Sequence, residues 1–231
     1  MQLYQKDAYA REFDAEVIKV NKGKFVVLSR TLFYPDSGGQ PHDTGALIKD
    51  GKEYPVVYAG LFSGEISHEI STGGLKEGDG VHGIIDFERR YLFMRYHTAC
   101  HILSAVIHKM AGAKITGNQI GTDKTRIDFS LVEFDRDKIG EYEAQSNRII
   151  ERSIPVNVKI IPREELNEDT IRLAAGLPDS IREVRIIDIE GIDQQPCGGT
   201  HVKNTEEIGK IRIIKAENKG KNNRRIYYKL E

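Results

Sequence analysis

The residues that point most directly at chemistry are a histidine pair, His97 and His101, and a short loop, Cys197-Gly198-Gly199-Thr200-His201. On a helix a spacing of four is just over one turn, so both imidazoles project from one face and can share a metal ion. A thiolate and an imidazole four apart, joined across two glycines, suit a tight loop whose backbone folds closely around a metal, and Pro196 stiffens its entry. Each half alone reads equally well as a satisfied histidine pair or an ordinary glycine turn. Together His97, His101, Cys197 and His201 make a complete tetrahedral donor set, and one zinc ion per chain is expected. Cys100 is the rival thiolate, but three residues from His97 on the helix it is expected to face the core. Thr98 stands where zinc proteases of the H-E-x-x-H type carry their general base, which argues against that chemistry.

The elements that must position these residues change character along the chain. The first eighty-odd residues read as short strands: AEVIKV (15–20) and KFVVLS (24–29) flank the turn Asn21-Lys22-Gly23, ALIKD and KEYPVVY flank Asp50-Gly51, and EISHEIS and VHGIIDF follow. That spacing suggests a small barrel or sandwich, with Phe33-Tyr34-Pro35-Asp36-Ser37-Gly38-Gly39-Gln40-Pro41 as a turn at its rim. From Glu88 to Met110 no Gly or Pro intervenes and apolar residues recur at helical spacing (Leu92, Tyr96, Ala99, Leu103, Val106, Met110). Beyond it, strand-like segments (RIDFS, VNVKII, VRIIDIE, GKIRIIK, RIYYKL) alternate with helical ones at 135–152 and 163–175. The reading is an α+β chain: a β-barrel domain at 1–86, then an α+β domain at 87–231 with helices on a mainly antiparallel sheet.

The bulk numbers leave few other classes open. With 39% hydrophobic and 30% charged residues the chain can bury a core, which excludes a disordered polypeptide. No apolar run is long enough to cross a bilayer and the start, MQLYQKDAYAREF, lacks a signal-peptide core, so a cytoplasmic protein is expected. Two cysteines, both beside histidines, point to metal rather than to a disulfide framework. A net charge of -1 does not announce a nucleic-acid binder, yet between Gly209 and Lys229 stand Lys210, Arg212, Lys215, Lys219, Lys221, Arg224, Arg225 and Lys229 against Glu217 alone. On charge alone this is a solvated edge strand protected by its lysines.

Ser37-Gly38-Gly39-Gln40, His97/His101 and Cys197-Gly198-Gly199-Thr200-His201, in that order, resemble the editing region of alanyl-tRNA synthetase and its free-standing relatives, the AlaX proteins. Arg126-Ile127-Asp128-Phe129 looks like the R-x-D-F strand of the same family. The likeness covers nearly the whole chain, and the SGGQ segment separates it from the editing domain of threonyl-tRNA synthetase, which lacks that barrel. A chain of 231 residues is too short for an aminoacylation core, so the resemblance is to the medium-length AlaX type.

The resemblance implies hydrolysis, in trans, of the ester in mischarged tRNA(Ala): chiefly seryl-tRNA(Ala), with glycyl-tRNA(Ala) as a second substrate, and no obligate protein partner. Thr116 is the candidate for reading the serine hydroxyl, by position in the family pattern, against an ordinary strand-edge hydroxyl bonded to backbone. Asn118 and Gln119 could line the same pocket. Asp193, Gln194 and Gln195, directly before Cys197, could orient water or the aminoacyl group. Gly38 and Gly39 would allow close approach of RNA or of the editing domain, and Lys221, Arg224 and Arg225 become candidates for tRNA backbone contact. With four protein ligands zinc would be structural; with one ligand loose it could act on the substrate. The rival readings are a non-catalytic, zinc-stapled RNA-binding module and a zinc hydrolase of small esters or amides.

Overall fold

Alternate residues of the segment EISHEI are buried, Ile66, His68 and Ile70 inward, as expected of a strand with one face on a core. A computed structural model describes residues 2–131, 136–167, 171–173, 177 and 182–231, without the side chains of 136 and 137. The chain forms two units, Met1–Phe93 and Met94–Glu231.

In the first unit a short helix, α1 (Leu3–Lys6), precedes β1 (Glu12–Asn21), β2 (Phe25–Leu28), β3 (Gly45–Lys49), β4 (Lys52–Phe62), β5 (Glu65–Ile70) and β6 (Gly80–Ile85). The strands pair antiparallel in the order β1-β2-β5-β4-β3-β6, and β6 returns to β1. Closure leaves no edge to protect. The hairpins are set by turn chemistry. Lys22-Gly23, Asp50-Gly51 and Ser63-Gly64 all have positive φ at both central residues, the mark of the type I′ turn whose twist matches the strands it joins. Inside lie Phe13, Val17, Val26, Phe33, Leu47, Val56, Ile70 and Val81.

The long helix, α2 (Phe87–Ala111), stops at Gly112, which takes the left-handed conformation (φ +67) that a β-carbon would strain. From Tyr96 to Val106 every residue is buried, so the expected apolar stripe is a rod buried all round, and Met110 beyond it is exposed. The second unit also contains β7 (Ile115–Gln119), β8 (Thr125–Phe129), α3 (Arg136–Ile150), β9 (Val156–Pro162), β10 (Glu183–Ile189), β11 (Asp193–Pro196), β12 (Ile211–Asn218) and β13 (Arg224–Leu230). They form a four-stranded antiparallel sheet, β12-β13-β8-β7, and a three-stranded one, β11-β10-β9. Helix α3 shields the outer edge of β12: Asn147 exchanges two hydrogen bonds with the Ile211 backbone and Glu143 accepts from Ile213 N.

The helix expected at 163–175 does not form as such. Arg163–Glu165 is a single 3-10 turn behind Pro162, and Leu166, Asn167, Ile171 and Arg172 are not helical. Leu173 instead bridges to Ile115, and the Arg172 carbonyl accepts from Ile115 N at 2.7 Å. A backbone partner on β7 thus takes a carbonyl that a helix would use. Residues 168–170 and 174–176 lie outside the described residues.

Candidate metal centre

Helix α2 carries His97 and His101 on one face, and the loop leaving β11 brings Cys197 and His201 to them. The donor atoms of these residues all lie within 4.8 Å of one another. Cys197 Sγ is 3.5 Å from Nε2 of His97 and 3.3 Å from Nε2 of His201. A tetrahedral zinc with bonds of about 2.3 Å to sulfur and about 2.0–2.1 Å to nitrogen would set those edges at about 3.5 Å, so these two edges fit such an ion. The loop is held by its backbone: Cys197 N donates to Arg185 O at 3.0 Å, Arg185 Nη1 donates to Cys197 O at 2.6 Å, and Gly199 N points to Sγ at 3.4 Å.

The electrostatics suit a cation. Burial alone would push the Cys197 thiol up, but the imidazoles of His97 and His201 beside it hold it well below the usual thiol range. Against the cost of burial, His101 is pushed up to about 9 by the hydrogen bond to Asp193 and by Cys197. His201 is held well below its ordinary value, by burial first and by the charge of His97 second. Cys100 is pushed up to about 12 by burial, stays a thiol among Asn118 and Ser104, and lies outside the donor cluster.

The groups behind the donors are as specific as the donors. His101 Nδ1 donates to Asp193 Oδ2 at 2.7 Å, which leaves Nε2 for a metal. The other Asp193 oxygen lies 2.5 Å from Arg172 Nη2, and both side chains are buried. Gln195 accepts from Arg172 N at 2.8 Å. Gln194 is on the opposite face of β11, exposed, and donates to Asp188 at 3.0 Å, so the period of two that turns Asp193 and Gln195 inward turns Gln194 away. Asn118 reaches Cys100. Thr116 is exposed and donates to Asn223 Oδ1 at 3.2 Å, while Gln119 accepts from Arg126 Nε at 3.1 Å. Sequence reasoning missed Arg172, which lies in a segment read as helix. It also passed over Thr98, noted only for not being Glu, whose hydroxyl is 3.2 Å from His201 Nδ1.

In the first unit, Gly38 and Gly39 (φ +59 and +82) are the central pair of another type I′ turn, closed by reciprocal backbone bonds between Ser37 and Gln40. Within the barrel the nearest atom to a β-carbon on Gly38 would be Tyr34 Oη at 3.9 Å, so backbone conformation, and no crowding there, asks for glycine. The loop returns through Asp43, whose buried carboxylate accepts from Arg90 and from Tyr34 N. Arg90 also donates to Leu32 O at 2.6 Å.

Two of the basic residues singled out near the end are engaged inside the fold. Arg224 is buried and donates to Asn218 Oδ1 and Gly220 O, tying the β12–β13 turn; Arg225 pairs with Asp128 through both oxygens, at 2.6 and 2.9 Å. Arg224 thus acts as a clasp of that turn. Lys221, at the turn itself, is exposed.

Residues 184–227 match the threonyl and alanyl tRNA synthetase second additional domain, and residues 5–89 match the class II (A) tRNA synthetases. An alanyl-tRNA editing protein AlaX-M from Methanosarcina barkeri is 55% identical, with 99% of this chain and 98% of that protein covered. The AlaX-M of Saccharolobus solfataricus is 41% identical over 98% of this chain and 97% of its own length. Alanine–tRNA ligase of Pyrococcus furiosus is 40% identical over 93% of this chain but only 24% of the ligase. At such identity over nearly full length, the chain belongs to the AlaX-M family of alanyl-tRNA editing proteins.

Proposed function

We propose that the chain is an aminoacyl-tRNA deacylase that acts in trans on mischarged tRNA(Ala), chiefly seryl-tRNA(Ala) and secondarily glycyl-tRNA(Ala), with one zinc ion held by His97, His101, Cys197 and His201. The observation that carries this is the largely buried donor cluster, in a chain similar over nearly its whole length to proteins named for alanyl-tRNA editing. Zinc held there by His97, His101, Cys197 and His201 would supply a fixed positive charge to the site and would tie helix to loop.

The chain's own residues do the rest. Asp193 keeps the His101 proton on Nδ1, and Arg172 balances the buried carboxylate. Asn118 and Gln195 face inward, where they can orient the aminoacyl group or a water; Thr116 reads the serine hydroxyl, and Gln119 and Gln194 support from outside the cluster. Lys221, with exposed Lys210, Lys215 and Lys219, meets the tRNA backbone, a contact that salt should weaken. Gly38 and Gly39 present a side-chain-free tip to RNA.

The test is deacylation of seryl-, glycyl- and alanyl-tRNA(Ala) side by side by pure protein, before and after chelator treatment. Release of serine but not alanine, lost on metal removal and restored by zinc, is expected. Binding of tRNA(Ala) with no release of any amino acid would leave an RNA-binding module stapled by metal.

A further inference from the structure

Thr98 sits between the two helical histidines and is fully buried. Its hydroxyl lies 2.9 Å from the Met94 carbonyl oxygen, 3.2 Å from the Val202 amide nitrogen and 3.2 Å from Nδ1 of His201. A hydroxyl has one proton to give and two lone pairs to receive with. The carbonyl can only accept and the amide can only donate. All three bonds are therefore made together in one arrangement, with His201 Nδ1 as a donor. The neutral ring then carries its proton on Nδ1 and turns a bare Nε2 toward Cys197 Sγ, 3.3 Å away, inside the donor cluster. Were the hydroxyl proton turned to Nδ1 instead, Nε2 would carry the ring proton and could not bind a metal.

We propose that Thr98 is a positioning residue that fixes the metal-ready tautomer of His201. It does for the loop histidine what Asp193 does for His101, by different means. A carboxylate adds a negative charge that needs Arg172 beside it, whereas a hydroxyl adds none. Two consecutive loop residues, His201 and Val202, converge on this one oxygen, so the same group sets the register of the loop against α2. The residue at the general-base position of a zinc protease here orients a ligand and takes no part in proton transfer to substrate.

The inference rests on the reading that the cluster takes zinc, and the experiment separates the two. Long-range proton–nitrogen correlation spectra of the zinc-loaded full chain report the His201 tautomer directly, and chelator competition gives zinc affinity for wild type, Thr98→Val and Thr98→Ser. The expected result is an Nδ1-protonated His201, zinc affinity reduced about 10- to 100-fold in Thr98→Val, and near-wild-type affinity in Thr98→Ser. Should Thr98→Val fail to fold, the wild-type spectrum and the serine variant still decide. Equal affinity in wild type and Thr98→Val, a serine variant that has lost most of its affinity, or an Nε2-protonated His201 in the loaded protein would overturn the inference while leaving the metal site standing. A wild-type chain that takes up no zinc would overturn both.

Discussion

Asp193 divides its carboxylate between His101 and Arg172, one oxygen to each, at 2.7 and 2.5 Å, and is itself fully enclosed. A buried carboxylate between an imidazole N–H and a guanidinium is neutralised on one side and directs a ligand on the other. Because the second charge has no solvent to fall back on, removing the first strands it.

Asp193→Asn should therefore fail in two ways at once. The amide can still face His101, but it no longer balances the buried Arg172, at a cost of roughly 3–5 kcal/mol in folding stability. Metal affinity should fall about 10- to 100-fold as the His101 ring loses its acceptor charge. Chemical denaturation and chelator competition measure the two losses separately. The double variant Asp193→Asn with Arg172→Met should recover stability while affinity stays low; recovery of both would mean that Asp193 serves packing alone.

The clustering of the four donors was legible from the sequence because helical spacing and a glycine-bearing loop are local patterns, and two incomplete halves complete each other. The barrel was legible for the same reason: Lys22-Gly23 and Asp50-Gly51 announce their hairpins. What supports the ligands was not. Arg172 reaches Asp193 from a segment whose composition reads as helix, but its carbonyl accepts from Ile115 on β7, a non-local event that no window of sequence contains. Arg224 and Arg225 read as a basic patch because sequence shows charge and hides partners, Asn218 for one and Asp128 for the other.

The Ser37-Gly38-Gly39-Gln40 turn offers a test that separates backbone from contact. Gly38 has φ +59, and within the barrel its missing β-carbon would meet only the Tyr34 hydroxyl at 3.9 Å, an ordinary contact. Gly38→Ala should cost roughly 1–2 kcal/mol through left-handed strain, and Gly38→Asn, which tolerates that region, less. Zinc content should be unchanged in both. If the tip meets RNA, Gly38→Asn will lose deacylation while keeping its melting temperature; full activity in the asparagine variant would make the segment a turn and nothing more.

His68 makes the barrel sensitive to acid. It is fully buried, donates from Nδ1 to Val26 O at 2.9 Å, and lies 2.9 Å from the Thr31 hydroxyl at Nε2. Burial pushes it down to about 4 from 6.5, so between those values the unfolded chain binds a proton that the folded chain refuses. The stabilisation is complete above about pH 6.5 and is lost as pH falls toward 4, a span worth at most about 3 kcal/mol. Urea midpoints taken across that range should fall more steeply for wild type than for His68→Asn. Parallel slopes would show that other groups, the metal ligands among them, account for the acid loss.

Thr116 carries the argument about selectivity. Serine differs from alanine by one hydroxyl, and only a partner held in place can turn that difference into a rate. The Thr116 hydroxyl gives its proton to Asn223 Oδ1 at 3.2 Å, and its β-branched side chain is stiff about χ1. On the proposed reading its lone pairs accept from a serine hydroxyl and have nothing to receive from alanine or glycine. Thr116→Val keeps the shape and removes that acceptor. It should cost about 1–3 kcal/mol of transition-state stabilisation on seryl-tRNA(Ala) and far less on glycyl-tRNA(Ala). Asn223→Ala frees the hydroxyl to rotate and should produce a smaller loss of the same selectivity. Single-turnover rates on both substrates decide it: equal losses on serine and glycine would make Thr116 a general support of the site, and unchanged rates on both would remove it from the pocket.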